Sequence, residues 1–194
     1  MTKVILDMSM SLDGYMSASA QTPEEPVGEG GFQLTEWSMG EDAQGAAVLE
    51  EMRTSIGAMV AGRRTYDTSL PWWGPDGPSR EYRLPLFVVS HGKPEDIPDN
   101  SVYTFVEGAE AALEEAKAAA GDKDVEIMGG AKTGQRLIRA GLVDEIHIHL
   151  VPVLFGSGTR LFENLGDDHI QLEAPRVTEG PTATHLRYQV AKDR

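Results

Sequence analysis

A chain of 194 residues, 40% hydrophobic and 25% charged, suits one compact domain with a sizeable core. It contains no cysteine, which excludes disulfides, thiolate metal sites and thiol nucleophiles and points to a reducing, cytoplasmic setting. A formal charge of −14 with no basic run to offset it argues against a nucleic-acid partner, and the opening "MTKVILDMSMSLDG" has neither a signal peptide's apolar region nor a membrane span.

The first strand is predicted over residues 3–8 and ends in "SLDG", where Gly14 can take a positive φ and Asp13 can bond nearby backbone. A loop over 18–40, with Phe32 and Trp37 among Gly, Pro, Glu and Thr, has the length of a lid or binding segment. Ala47, Val48, Met52 and Ile56 fall at helical spacing and predict a helix over 41–55 with acids near its start. "AMVAG" reads as a short buried strand, "RRTYDTS" as a helical turn or short helix, and "PWWGPDGPSREYRLP" as a second long loop. The strand "LFVVS" and the weaker "VYTF" precede "EGAEAALEEAKAAAG", an Ala- and Glu-rich helix stopped by Gly121. Next come the strand "VEIM", a double glycine, a helix over 132–140 and the strand "VDEIHIHLVPV". Repeated strand–helix–strand units predict a largely parallel sheet. The tail segments "HIQLEAPRVT" and "THLRYQVA", joined by "EGPTA", predict an antiparallel closing pair. The expectation is a single α/β domain over 1–194.

Four places carry residue types suited to chemistry. In "VAGRRTYDT" a buried strand ends at Gly62, and Arg63, Arg64 and Thr65 open a helical turn. Helix N-termini and arginine both bind phosphate, and a surface turn with two solvated arginines accounts for the residues equally well. In "IMGGAKT" glycine at a strand end lets a pyrophosphate approach the main chain, while a tight strand-to-helix turn also uses glycine. The pattern is not the Gly-x-Gly-x-x-Gly fingerprint. Ser90 and His91 close "LFVVSH" at the same sheet edge, to meet ribose or phosphate or simply to begin a polar loop. Trp37 and Asp42 in "TEWSMGED" offer a ring and a carboxylate to a cavity beneath that edge, Asp42 being otherwise a surface acid on the helix dipole. His147 and His149 alternate on one face of a strand without a third ligand by motif, so partly exposed sheet histidines are expected, and no metal. Nucleophile elbow, Walker loop and His-Glu-x-x-His are all missing, so the hydrolase and kinase readings lack their parts.

In this order, "SLDGY", "GRRTYD", "PLFVVSH", "GGAKTGQRLIRAGLVDEIHIHLVPVLFGSGTRLF" and "LRYQV" resemble the dihydrofolate reductase-like superfamily. Within it they are most similar to stand-alone proteins resembling the reductase domain of bifunctional riboflavin-biosynthesis enzymes. The resemblance covers nearly the whole chain, and "AGLVDEIHIHLVPVLFGSGTRLF" is its most specific part. It implies a three-layer α/β fold: a mixed, mostly parallel sheet of about eight strands, helices on both faces and a C-terminal antiparallel hairpin. It also implies NADPH held across strand ends. Gly62, Arg63, Arg64 and Thr65 would grip phosphates, with Arg63 on the 2′-phosphate; Ser90 and His91 would lie beside the adenosine ribose; Gly129, Gly130, Ala131, Lys132 and Thr133 would follow the pyrophosphate. A cis peptide in the glycine pair belongs to the same implication.

The implied substrate is a small pterin- or pyrimidine-like heterocycle, with Trp37 and Phe155 on its side and Trp72 and Trp73 as further walls or interface residues. Asp42 is the implied proton donor or anchor; Asp13 is the second acid, and equally a turn residue. Riboflavin-type reductases place a lysine in the first strand and a glutamate just before the glycine pair, where this chain has Asp7 and Met128. Three readings follow: a reductase of this family with its own heterocycle, a true dihydrofolate or 5-amino-6-(5-phosphoribosylamino)uracil reductase, or a non-catalytic NADP(H)-binding protein that has lost the substrate site. A homodimer is implied as well, through the strand around residues 146–151 or its neighbours.

Overall fold

The computed structural model describes residues 2–39 and 43–192. Its strands in chain order are β1 (Val4–Ser11), β2 (Tyr15–Ser17), β3 (Ile56–Gly62), β4 (Leu86–Val89), β5 (Tyr103–Val106), β6 (Asp124–Gly129), β7 (Glu145–Val151), β8 (Thr159–Arg160), β9 (Arg176–Glu179) and β10 (Thr184–Gln189). The helices are α1 (Glu36–Met39), α2 (Ala43–Ser55), α3 (Arg63–Trp73), α4 (Ala109–Ala120) and α5 (Ala131–Arg139). Eight strands form one sheet in the order β5-β4-β3-β6-β1-β7-β10-β9, with β10 antiparallel to both its neighbours, and β2 pairs with β8 in a separate ribbon.

Side-chain alternation sorts the sheet into two faces. Val4, Leu6, Val60, Val125, Ile127, Ile146 and Ile148 pack against the stripe Ala109, Ala112, Leu113 and Ala116 of α4 and Leu137 and Ile138 of α5. The opposite residues, Ile5, Met59, Ala61, Leu86 and Val88, meet Tyr66 of α3, and Val48 of α2 packs with Leu34, Trp37 and Val151 farther along that face. Helices therefore cover both faces of a mostly parallel sheet that ends in an antiparallel pair, the three-layer fold expected from the sequence.

Several local expectations change. The segment "RRTYDTS" continues through Pro71 into an 11-residue helix, because a proline in the last turn removes a donor where little helix remains to interrupt. The β2–β8 ribbon, only three and two residues long, has no alternation for a sequence to reveal. Among the described residues there is no cis peptide, so Gly129 and Gly130 are joined in trans. Nor is β7 free for a dimer: β1 and β10 pair along its two edges, and both its faces are covered. His147 and His149 are accordingly buried rather than partly exposed.

Candidate active site

The ends of β3 and β6 meet through glycine. Gly62 caps α3 and Gly130 caps α5, and a Cβ placed on Gly130 would stand 3.1 Å from Gly62 Cα. On Gly129 a Cβ would come within 2.6 Å of Thr65 Cγ2, and on Gly62 within 3.1 Å of Thr133 Oγ1. Gly130 also holds φ at 83°, a conformation that side chains disfavour. The glycines thus let two parallel strand ends pack backbone to backbone, which brings the N-termini of α3 and α5 side by side. Such ends carry unpaired N–H groups and a positive dipole end. Thr65, Ala131 and Thr133 lie in the first turns, with Arg64 and Lys132 exposed beside them.

At the end of β4 the second half of the site is already assembled. Arg63 Nη1 donates to Ser90 Oγ and to the Gly92 carbonyl, each at 3.1 Å, while its Nε donates to Asp67 Oδ1 at 2.7 Å. Three acceptors fix the guanidinium over the strand end. His91, beside it, is open to solvent and faces Glu107 across 3.3 Å. The structure therefore brings Gly62, Arg63, Thr65, Gly129, Gly130 and Thr133 together, with Ser90 joined through Arg63.

The proposed substrate-side residues divide. Trp37 is buried; its indole N–H donates to Ser9 Oγ at 2.8 Å, and its ring lies 4.0 Å from that of His149. Phe155 packs in the same cluster, so the two aromatics do share a neighbourhood. Asp13 accepts hydrogen bonds from Ser11 Oγ, Phe155 N and Gly156 N, which tie the "SLDG" turn to residues 155–156. The Ser11 hydroxyl and those backbone donors hold its carboxyl down at about 2, so it has no proton to give near neutral pH. Trp72 is exposed and donates to the Pro23 carbonyl. Asp42 lies outside the described residues.

A second group of polar side chains is gathered by the fold, of which the sequence singles out only Asp7, His147 and His149. On the α2 face, Asp7 of β1, Glu126 of β6, Glu145, His147 and His149 of β7 and His185 of β10 are all buried. They form a chain. Lys3 Nζ and Gln189 Nε2 donate to Glu145 Oε1, Glu145 Oε2 lies 2.9 Å from His147 Nε2, and His147 Nδ1 faces Asp7 Oδ2 at 3.4 Å. Asp7 Oδ1 lies 2.9 Å from His149 Nε2, and His149 Nδ1 and His185 Nδ1 stand 2.7 Å apart. Burial alone would raise the Asp7 carboxyl, but the charges and hydrogen bonds of His149 and His147 outweigh it and hold the group well below the usual carboxylate range. Glu126 goes the other way: burial, then the Asp7 charge, push it well above its ordinary value. Asp7, Glu126 and His147 line a cavity of about 110 Å³ between α2 and the sheet. The signal was present as polar residues at one parity of three strands, in "VILDM", "VEIM" and "EIHIHL". Only the pairing of those strands shows that the parity is shared.

Among the described residues no helix is long and apolar enough to cross a membrane, and no cluster suits a metal ion. The family model for the RibD C-terminal domain matches residues 2–186. Uncharacterized protein YwjB of Bacillus subtilis (strain 168) is 25% identical over 166 residues, 86% of this chain and 86% of its own. A solved protein from Shewanella sp. PV-4, provisionally assigned to riboflavin biosynthesis, has a TM-score of 0.67 at 22% identity over 99% of this chain and 100% of that one. Riboflavin Biosynthesis Reductase Rib7 of Saccharomyces cerevisiae has a TM-score of 0.59 at 17% identity over 98% and 90%. The likeness to these two structures is one of fold.

Proposed function

The chain belongs to the RibD C-terminal domain family, and from that premise we propose that it is a reductase using NADPH on a small pterin- or pyrimidine-like heterocycle. The observation that carries the reading is the glycine-to-glycine contact of β3 and β6, which sets two helix N-termini together beside an arginine held at the next strand end. The donor set suits a dinucleotide: backbone N–H groups without Cβ interference for a pyrophosphate, and Arg63, Arg64 and Lys132 gathered on one rim of a chain whose net charge is −14. That a riboflavin-biosynthesis reductase shares the fold supports the same activity here.

In this reading Gly129, Gly130, Ala131, Lys132 and Thr133 hold the pyrophosphate, and Gly62, Arg64 and Thr65 line the same cradle from α3. Arg63 takes the 2′-phosphate, with Ser90 orienting its guanidinium and His91 beside the ribose. Reduced nicotinamide, when bound, supplies the hydride. Asp13 serves as the tie of the 155–156 turn, and Asp42 is proposed as a substrate anchor. The protein is proposed to work as a homodimer through a surface other than β7.

Fluorescence titration of NADPH and NADH tests the cradle. NADPH should bind more tightly, and Arg63→Ala should weaken it about tenfold while leaving NADH nearly unchanged, as fits loss of a charge-assisted contact. No binding at millimolar NADPH overturns the reading. Oxidation of NADPH with dihydrofolate and with a ribosylaminopyrimidine then separates the substrate classes, and unchanged turnover in Asp42→Asn removes the anchor. Asp7 and Met128, standing where riboflavin-type reductases carry lysine and glutamate, favour one second reading: an NADP(H)-binding protein without catalysis. Binding with no turnover of either heterocycle would support it.

A further inference from the structure

Gly62 of β3 pairs with Val89 of β4, so Arg63 and Ser90 leave the sheet side by side. The partners of the arginine are not alike. Ser90 Oγ and the Gly92 carbonyl both accept from Nη1, each at 3.1 Å, and Asp67 Oδ1 accepts from Nε at 2.7 Å. A guanidinium grips an anion in bidentate fashion along one of its edges, Nε with Nη2 or Nη1 with Nη2. On each edge one nitrogen is already engaged, so a phosphate can take both N–H groups of an edge only by displacing a partner. Nη1 is held from the strand end, by a backbone carbonyl and by a hydroxyl that itself donates to that carbonyl at 2.6 Å. Asp67 is the looser partner: its carboxylate makes no other hydrogen bond or ion pair among the described residues, and its side chain is 47% exposed.

Helix energetics do not account for this pair. An acid one turn ahead of a cation is the favourable order, and a cation in the first turn opposes the helix dipole. In α3 both are reversed, with Arg63 at the first position and Asp67 at i+4. The neighbouring cations lack such a partner. Among the described residues Arg64 and Lys132 form no ion pair, and His91 and Glu107 are too open to water to hold one another in place. On this rim the acid is set against Arg63 alone.

Resting on the reading of this cradle as an NADPH site, we propose that Asp67 is a specificity-determining residue, an internal anion that occupies the fork of Arg63 in the empty cradle and competes there with the 2′-phosphate. The phosphate brings a charge of about −1.5 to −2 to a fork that already holds a carboxylate. Asp67 must therefore turn out into water before the Nε edge opens. Half exposed, it does so without leaving a buried, unpaired charge behind. A cofactor without the 2′-phosphate leaves the Arg63–Asp67 pair intact. Asp67 thus narrows the lead of NADPH over NADH, and it keeps Arg63 aimed at the strand end while neither is bound.

Calorimetric titration with adenosine 2′,5′-bisphosphate and adenosine 5′-monophosphate, which differ only in the 2′-phosphate, isolates this contact, and NADPH with NADH repeats it on whole cofactors. Asp67 lies on the surface, so its substitution leaves the fold standing. Asp67→Asn should tighten the bisphosphate and NADPH by about tenfold at low salt, the effect of removing a like charge roughly 5 Å from the phosphate in water. The monophosphate and NADH should change by less than about twofold. Asp67→Glu, which keeps the anion, should keep the wild-type ratio of bisphosphate to monophosphate affinity. The gap between Asp67→Asn and wild type should narrow as salt shortens the screening length from about 30 to 8 Å, which an altered shape alone would not do. An unchanged ratio in Asp67→Asn overturns the proposal, and so does a lowered one, which would make Asp67 only the prop of Arg63. Those outcomes leave the cradle standing. Absence of NADPH binding in both wild type and Asp67→Asn instead overturns the cradle, and the proposal with it.

Discussion

At Gly129 the clash is with a single methyl. An added Cβ would lie 2.6 Å from Thr65 Cγ2, so Gly129→Ala should lower stability by about 1–3 kcal/mol, as overpacking does, and loosen NADPH. Thr65→Ser removes that methyl, and the double variant should recover most of the loss in urea unfolding and in fluorescence titration. A second prediction concerns protons. Burial opposes ionisation of Glu145, yet hydrogen bonds from Lys3, His147 and Gln189 hold it at about 2, and Asp7 is likewise depressed. Unfolded carboxylates take up protons that these two refuse, so their stabilisation is present above an ordinary value of 4.5 or 3.8 and is lost as pH falls through their folded values. Glu126 has the opposite sign. Its folded form keeps a proton the unfolded chain gives up, so from 4.5 upward stability should decline with pH until Glu126 itself ionises. Urea unfolding of wild type and Glu126→Gln from pH 3 to 9 checks this: the acid limb should survive in the variant and the decline at higher pH should flatten. Glycine at these strand ends was legible because its chemistry is local. The burial of Asp7 was not, since its partners His147 and His149 lie 140 and 142 residues away and no short window contains both.

Among the elements, α4 was readable throughout because composition and periodicity agree: small residues on the sheet side, glutamates on the other, and Gly121 as its stop. The segment 18–35 is the contrary case. It was legible as a long loop, but its attachment depends on α3. Trp72, 55% exposed, donates to the Pro23 carbonyl at 2.8 Å and sets its ring 5.3 Å from Phe32. The loop is thereby strapped to the last turn of a helix that the sequence predicts only as a helical turn or short helix. Trp72→Ala should change global stability by less than about 1 kcal/mol, since half the ring is already in water. It should nevertheless make residues 18–30 markedly more sensitive to limited proteolysis, read by mass spectrometry of the first fragments. Unchanged fragments would show that the backbone bonds Ala18 N to Val27 O and Thr22 N to Glu25 O hold the loop unaided.

Across the whole molecule the parallel topology followed from strand–helix alternation, whereas the place of β10 inside the sheet did not, because a hairpin pattern fixes only its pairing with β9. A net charge of −14 spread over one domain is self-repelling. Raising salt from 10 to 150 mM shortens the screening length from about 30 to 8 Å. A gain of roughly 1 kcal/mol from that screening would raise the thermal midpoint by about 2–4 °C in calorimetry, before any specific ion binding. The central position of β1 has a consequence for synthesis. Its sheet partners are β6 and β7, so β1 cannot pair until residue 124 and beyond have emerged. At the ribosome's pace of about 5–20 residues per second the wait is roughly 6–24 s. During it the stretch "VILDM" stands with both edges open, and Asp7 is the charge that interrupts an otherwise sticky segment. Nascent chains stalled before residue 124 should therefore leave β1 open to protease, and in Asp7→Val they should aggregate. In that event the carboxylate enclosed by imidazoles in the finished fold first guards the nascent chain against premature association.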